Sequence, residues 1–186
     1  VIAVLVIFSY WPSTLTFLIA ITVIGSRQLG FAILMHEAAH NALFKNLKLN
    51  NFAGEWLCGR PILADLYDYR TYHLQHHRHT QTEKDPDLRL SKPFPTTRRS
   101  LLRKLIRDIT GQTGFKQRLR QIMFAFKLAG DVENAPTSQE LAQAFSGGTL
   151  KRAFIANLIV FALMWAFGAW WWWLAFWMLP LLTWFQ

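Results

Sequence analysis

Residues 153–186 carry no formal charge, and that run limits the fold more than any other stretch of the chain. At roughly 20 residues per membrane crossing it is long for one span and short for two. It therefore predicts a helical hairpin turning near Gly168 to Trp170. A second apolar run covers residues 14 to 24 (TLTFLIAITVI) and 29 to 35 (LGFAILM), broken only by Gly25, Ser26, Arg27 and Gln28. It is long enough to cross ~30 Å of hydrocarbon. With 52% hydrophobic residues, fifteen Phe and nine Trp, the composition exceeds that of an ordinary soluble domain, so a membrane protein is expected.

Charge supplies the orientation. All but one of the 20 Lys and Arg residues fall between Lys45 and Arg152, the segment joining the two apolar ends, and the positive-inside tendency assigns it to the cytoplasm. The net charge of +9 then follows from topology and anionic headgroups, so nucleic-acid binding is not expected. The expected fold class is all-α: multi-pass membrane helices with a cytoplasmic helical cap. A single domain is expected over 1–186, with membrane helices in 1–44, the cap in 45–152 and a membrane hairpin in 153–186. Because the chain starts at Val1 and stops at Gln186 inside apolar runs, it reads as truncated at both ends. Cys58, the only cysteine, excludes an internal disulfide and suits a packed thiol in a reducing compartment.

Along the chain, residues 1 to 9 finish one helix, Tyr10 to Ser13 turn around Pro12, and a long helix runs from about Thr14 to about Phe44. Arg27 either faces other helices inside the bilayer or marks a crossing that sits earlier in the helix. Asn50 and Asn51 suit a helix start, Gly59 a stop, and Pro61 the first turn of a new helix. Residues 82 to 86 (TEKDP) end that helix, and 91–97 reads as loop. Two amphipathic helices follow. The first sets Leu101, Leu102, Leu105, Ile106 and Ile109 against Arg99, Arg103, Lys104 and Arg107. The second sets Phe115, Leu119, Ile122, Met123 and Phe126 against Lys116, Arg118, Arg120 and Lys127. Both suit either the membrane surface or packing on the cap. Residues 131 to 149 read as a solvated connection, and Trp170 to Trp173 as an interfacial aromatic belt.

The chemistry lies in the histidines. All six fall between positions 36 and 79, in two clusters: His36 and His40, then His73, His76, His77 and His79. Spacings of i, i+4 and of i, i+3, i+4 put each cluster's rings on one helical face, which is how one helix presents several ligands to one metal. Neutral imidazoles suit Zn, Cu, Fe or Ni and disfavour Mg and Ca. Five or six of them exceed what one tetrahedral zinc takes, so a two-metal centre fits better. His36-Glu37-Ala38-Ala39-His40 also matches HExxH, in which two histidines hold zinc and the glutamate acts as general base. That reading leaves most of the second cluster idle.

HEAAH at 36–40, HLQHH at 73–77 and the following RHTQTEKDPD at 78–87, set between membrane segments, resemble the membrane-bound fatty acid desaturases and their carotenoid- and alkane-oxidising relatives. The resemblance covers essentially the whole chain. It implies two non-haem iron ions, with O₂ as co-substrate, removing hydrogen from an unactivated carbon chain. His36, His40, His73, His76 and His77 would be iron ligands; His79, which shares a face with His76, is an added candidate. Glu37 is expected to orient a ligating imidazole or to form a surface ion pair, and Asp85 and Asp87 to cap and position their loop. Uncharged ligands leave the metal's positive charge uncompensated, as attack on a methylene C–H bond demands.

The family carries a third histidine box, and nothing from Thr80 to Gln186 contains a histidine. That box is expected beyond Gln186, and the chain as it stands is expected to bind metal weakly and turn nothing over. The first expectation is thus an O₂-dependent oxidoreductase introducing a double bond into a fatty acyl chain. Carotenoid or alkane hydroxylation or ketolation, a membrane zinc metalloprotease using HEAAH, and a non-catalytic metal-binding or transport protein are the alternatives. Without a dinucleotide fingerprint or haem motif, electrons must come from a partner such as a ferredoxin or a cytochrome b5-like protein.

Overall fold

The structure, a computed structural model, describes residues 1–88, 94–125 and 147–183. The loop expected at 91–93, the connection at 131–146 and the packing of Ile122, Met123 and Phe126 fall outside the described residues or side chains. Among the described residues, all regular structure is helical. Helix α1 spans Ile2–Tyr10 and α2 spans Thr14–Ala39. Helix α3 (Leu47–Phe52) runs directly into a π-helical turn, Ala53–Gly59, and a 3-10 turn, Arg60–Ile62. Then follow α4 (Leu66–His79), α5 (Arg98–Ile109), α6 (Gln112–Ala125) and α7 (Gly147–Phe167). After a turn at 168–170 the chain forms a π-helical segment, Trp173–Met178, continued as α8, Leu179–Thr183.

Among the described residues one helix, α2, is long and apolar enough to cross a membrane. It starts on a reciprocal cap: Ser13 Oγ accepts from the Thr16 amide at 3.2 Å, and the Thr16 hydroxyl accepts from the Ser13 amide at 3.0 Å. Leu15, Leu18, Ile19, Leu29 and Ile33 stay exposed along α2, as do Phe154, Leu158 and Leu163 along α7. The opposite faces meet in a core of Leu5, Ala20, Ile21, Ile24, Met164, Trp172, Phe176 and Trp177. Phe8 and Phe176 cross edge to face there, with ring centroids 4.9 Å apart. Arg27 points outward, so it does not face neighbouring helices; Gln28 turns inward and donates to the Trp177 carbonyl at 2.8 Å. The Trp run is also split. Trp170 is exposed, whereas Trp172 is buried, its ring lying where a side chain at Gly168 would be.

Helix α2 ends at Ala39, short of the expected Phe44, because a distant side chain takes over the last carbonyls. Asn50 donates to the Ala38 carbonyl at 2.9 Å and accepts from the amides of Leu43 and Phe44 at 3.1 and 3.2 Å. Asn41, at φ 58°, turns the chain aside in a conformation that Asn tolerates. Asn50 is therefore a tertiary clamp and not a helix start. That role belongs to Asn46, whose side chain accepts from the Lys48 and Leu49 amides. Gly59 is the last residue of the π-helical turn and Pro61 lies in the first turn of the 3-10 helix, but the histidine-bearing α4 begins later, capped by Asp65.

Helix α6 is turned differently from its hydrophobic pattern. Among the described side chains at its start, Gly114 and Arg118, with Gly111 just before the helix, are buried, and Phe115 and Leu119 point outward. The glycines decide this. A Cβ at Gly114 would lie 2.1 Å from the Thr183 carbonyl oxygen, so α6 seats its backbone against the end of α8. Arg118, one helical step further, is carried inward with them, and burial pushes its guanidinium down to about 10.

Candidate metal centre

Two close packings bring the histidine clusters together. Gly54, in the π-helical turn, lies so near α2 that an added Cβ would stand 2.3 Å from Ala38 Cβ, between His36 and His40 in sequence. The same position faces Leu66, the first residue of α4, at 3.1 Å. A small core of Met35, Ala38, Ala39, Cys58 and Leu66 joins the ends of the two helices below the histidines. Burial raises the Cys58 thiol above its ordinary pKa, which keeps it an inert packed group.

Polar contacts then fix the angle between the helices. Arg70, on α4, donates from Nε to the Ala39 carbonyl at 3.0 Å, and from Nη2 to the Ala38 carbonyl at 2.8 Å and Asn51 Oδ1 at 2.7 Å. These carbonyls lie at the C-terminal end of α2, where a cation is favoured. Beneath them, fully buried Arg60 bridges Glu55 and Asp65. Glu55 also accepts from the Leu66 amide at 2.9 Å, and Asp65 from the Tyr67 amide at 2.9 Å, so the ion cluster holds the first turn of α4. Arg152, on α7, lies 3.9 Å from Glu55 and 3.7 Å from Asp65 and adds a second cation to the cluster. Nothing in the sequence pattern singles out Arg70, Arg60 or Gly54. Their partners lie on other elements, and the one local signal is an Arg three residues before His73 on the histidine-bearing helix.

His36, His40, His73 and His77 converge. One ring nitrogen from each lies within 4.8 Å of all the others. His73 Nε2 is 3.0 Å from His40 Nε2 and 2.9 Å from His77 Nε2, while Tyr69 stacks on the His73 ring at 5.1 Å. A ring nitrogen carries either one hydrogen or one lone pair, so His73 Nε2 cannot make two well-formed hydrogen bonds at once. A cation among the three nitrogens removes that conflict. Four converging imidazole nitrogens are a donor set that suits a transition metal.

Electrostatics favour the neutral, ligating form. Burial, then repulsion from His36, His77, His40 and His76, brings His73 down from 6.5 to about 4. Burial and the neighbouring His36 and His77 also lower His40, against a small opposing pull from Glu37. Glu37 itself sits 3.1 Å from His36 Nδ1.

His76 stands beside this group, its ring centroid 5.6 Å from that of His77 and 6.2 Å from that of His73. Its Nδ1 is 2.8 Å from Asp85 Oδ1, and that bond raises its pKa. With Nδ1–H given to the carboxylate, the neutral ring presents its lone pair at Nε2. Burial would raise Asp85, but the bonds from His76 and from the Gln81 and Asp87 amides outweigh it and hold the carboxyl low. Tyr72 donates to Asp87, tying the loop back to α4. Asp85 and Asp87 do position the loop, and Asp85 also aims a histidine. His79 lies outside the converging group, near the last turn of α4.

This arrangement can be set beside known proteins. The family model described as "Fatty acid desaturase" matches residues 9–186. The chain belongs to the fatty acid desaturase family. Within it, the chain is similar to the dihydrorhizobitoxine desaturase of Bradyrhizobium elkanii, at 36% identity over 73 residues. That match spans 38% of this chain and 21% of the relative. No solved structure matches this desaturase-family chain.

Proposed function

We propose that this chain is the metal-binding part of an O₂-dependent oxidoreductase that introduces a double bond into a fatty acyl chain. The observation that carries the reading is the convergence of four imidazoles from two histidine boxes on two helices, in a member of the desaturase family. In this reading His36, His40, His73, His76 and His77, with His79 nearby, hold two irons. Iron with O₂ supplies the oxidising chemistry. The protein's residues keep His40 and His73 neutral, orient His76 through Asp85, and hold the α2 and α4 ends at a fixed separation through Arg70 and Gly54.

The exposed apolar faces of α2 and α7 support a multi-pass membrane placement, with the histidine boxes on the cytoplasmic side. There a ferredoxin or cytochrome b5-like donor reaches the site. Arg27, exposed on α2, fits a crossing that sits earlier in the helix. The name of the relative favours a second reading, desaturation of a molecule such as dihydrorhizobitoxine in place of a fatty acyl lipid. Carotenoid or alkane hydroxylation by the same centre is a third.

Mass analysis of lipids from cells expressing the complete gene separates these readings. Loss of two hydrogens from an acyl chain is the expected result; gain of one oxygen indicates hydroxylation, and unchanged lipids with a desaturated small molecule indicate the second reading. Metal analysis of the purified full-length protein is expected to give two irons per chain. One zinc, with proteolysis abolished by Glu37→Gln, refutes the proposal.

A further inference from the structure

Helix α5 exposes its whole apolar stripe. Leu102 is 58% accessible, Ile106 51% and Ile109 73%, and none of the residues of α5 is buried. Among the described residues, nothing packs over the stripe closely enough to bury it. At 100° per residue, its five aliphatic positions occupy a sector of about 140°, flanked by Arg99 and Arg103 on one side and Lys104 on the other. The only acid of the helix, Asp108, is already engaged by Lys104 and by the Thr113 hydroxyl. The flank carrying Arg99 and Arg103 therefore presents positive charge beside an aliphatic surface, with no acid of α5 left to offset it.

The next helix extends the same character. Because Gly111 and Gly114 seat α6 against Thr183, Phe115 and Leu119 are turned outward, each close to half accessible, with Lys116 beside them. Thr183 belongs to the apolar stretch that begins at Trp171, so this close approach fixes the start of α6 against that stretch.

We propose that α5, together with the outer face of the first turns of α6, is a binding surface for anionic phospholipid. The aliphatic stripe lies in the acyl boundary, and Arg99 and Arg103 reach lipid phosphates. An acidic electron-donor protein would use the charges and leave the stripe in water. Lipid accounts for both. The inference rests on the membrane reading given above, and goes beyond it in assigning a lipid class and a helix face.

Single-cysteine labels test it in the complete chain, purified into nanodiscs, with Cys58→Ala removing the native thiol. A fluorescent label at Leu102→Cys is expected to be quenched by doxyl-labelled phosphatidylcholine, and to be at least fivefold less accessible to aqueous acrylamide than a label at Arg103→Cys. The protection is expected in discs containing phosphatidylglycerol and to weaken in phosphatidylcholine alone, by roughly fivefold for each basic side chain left without an anionic headgroup. Charge reversal by Arg99→Glu with Arg103→Glu is expected to abolish the dependence on phosphatidylglycerol. Equal aqueous access at positions 102 and 103 overturns the proposal. So does a Leu102 label shielded from both water and lipid, which indicates cover by residues 126–146 or a protein partner. A label at Leu18→Cys on α2 serves as reference. If it is lipid-quenched while Leu102 is not, the surface-helix proposal fails and the membrane reading stands; if neither is quenched, the membrane reading fails.

Discussion

Adding one methyl group at Gly54 is expected to open the metal centre from below. The added Cβ would lie 2.3 Å from Ala38 Cβ and 3.1 Å from Leu66 Cδ2. Ordinary carbon contacts begin near ~3.5 Å, so α2 and the π-helical turn must separate by roughly 1.2 Å. Ala38 Cβ is anchored directly to a helix and cannot swing aside like the end of a long side chain. Two effects oppose each other in Gly54→Ala: a helix-propensity gain of up to ~1 kcal/mol, and an overpacking cost of ~1–3 kcal/mol. The net loss of stability is then modest, ~0–2 kcal/mol, and the chain stays folded.

The site suffers more. Preorganised ligands tolerate displacements of about 0.5 Å, and the required separation moves His36 and His40 away from His73 and His77 by more than that. Metal content per chain, measured by elemental analysis alongside thermal unfolding, is expected to fall at least tenfold in Gly54→Ala while the fold persists. Ala38→Gly in the same chain deletes the opposing methyl and is expected to restore binding. If Gly54→Ala binds metal like the parent, or if the double variant is folded but still unloaded, close packing does not set the histidine geometry.

Arg70→Ala removes two hydrogen bonds to the end of α2 and one to Asn51. It is expected to cost roughly 2 kcal/mol of stability and to weaken metal binding, with Arg70→Lys recovering only part of each in calorimetric titration. Asp85→Asn deprives His76 of its carboxylate, and cobalt titration is expected to show binding ~10–100-fold weaker with little change in unfolding temperature. For the metal-free chain, His73 at about 4 in the folded state and near 6.5 unfolded takes up its proton only on unfolding. Stability is therefore present above pH 6.5 and lost as pH falls toward 4. His76, raised by Asp85, contributes in the opposite direction. Denaturant midpoints at pH 7 and pH 5 are expected to differ less in His73→Gln than in the parent; an unchanged difference refutes the assignment.

The residue pattern alone carried the broad outline, for a physical reason. Long apolar runs leave helix as the practical option, and imidazoles at i, i+3 and i+4 share a face wherever a helix forms. The HEAAH and HLQHH boxes were legible because ligand spacing is local. What determines whether the boxes meet is not local. Asn50 ends α2 twelve residues upstream of itself, Arg70 binds carbonyls more than thirty residues away, and Gly54 matters only because Ala38 happens to face it. A buried Arg60 looks in sequence like any surface cation, and the outward-facing Phe115 looks like core. Hydrophobic periodicity reports which face could be buried; the close seating of glycines against a neighbouring backbone decided which face was.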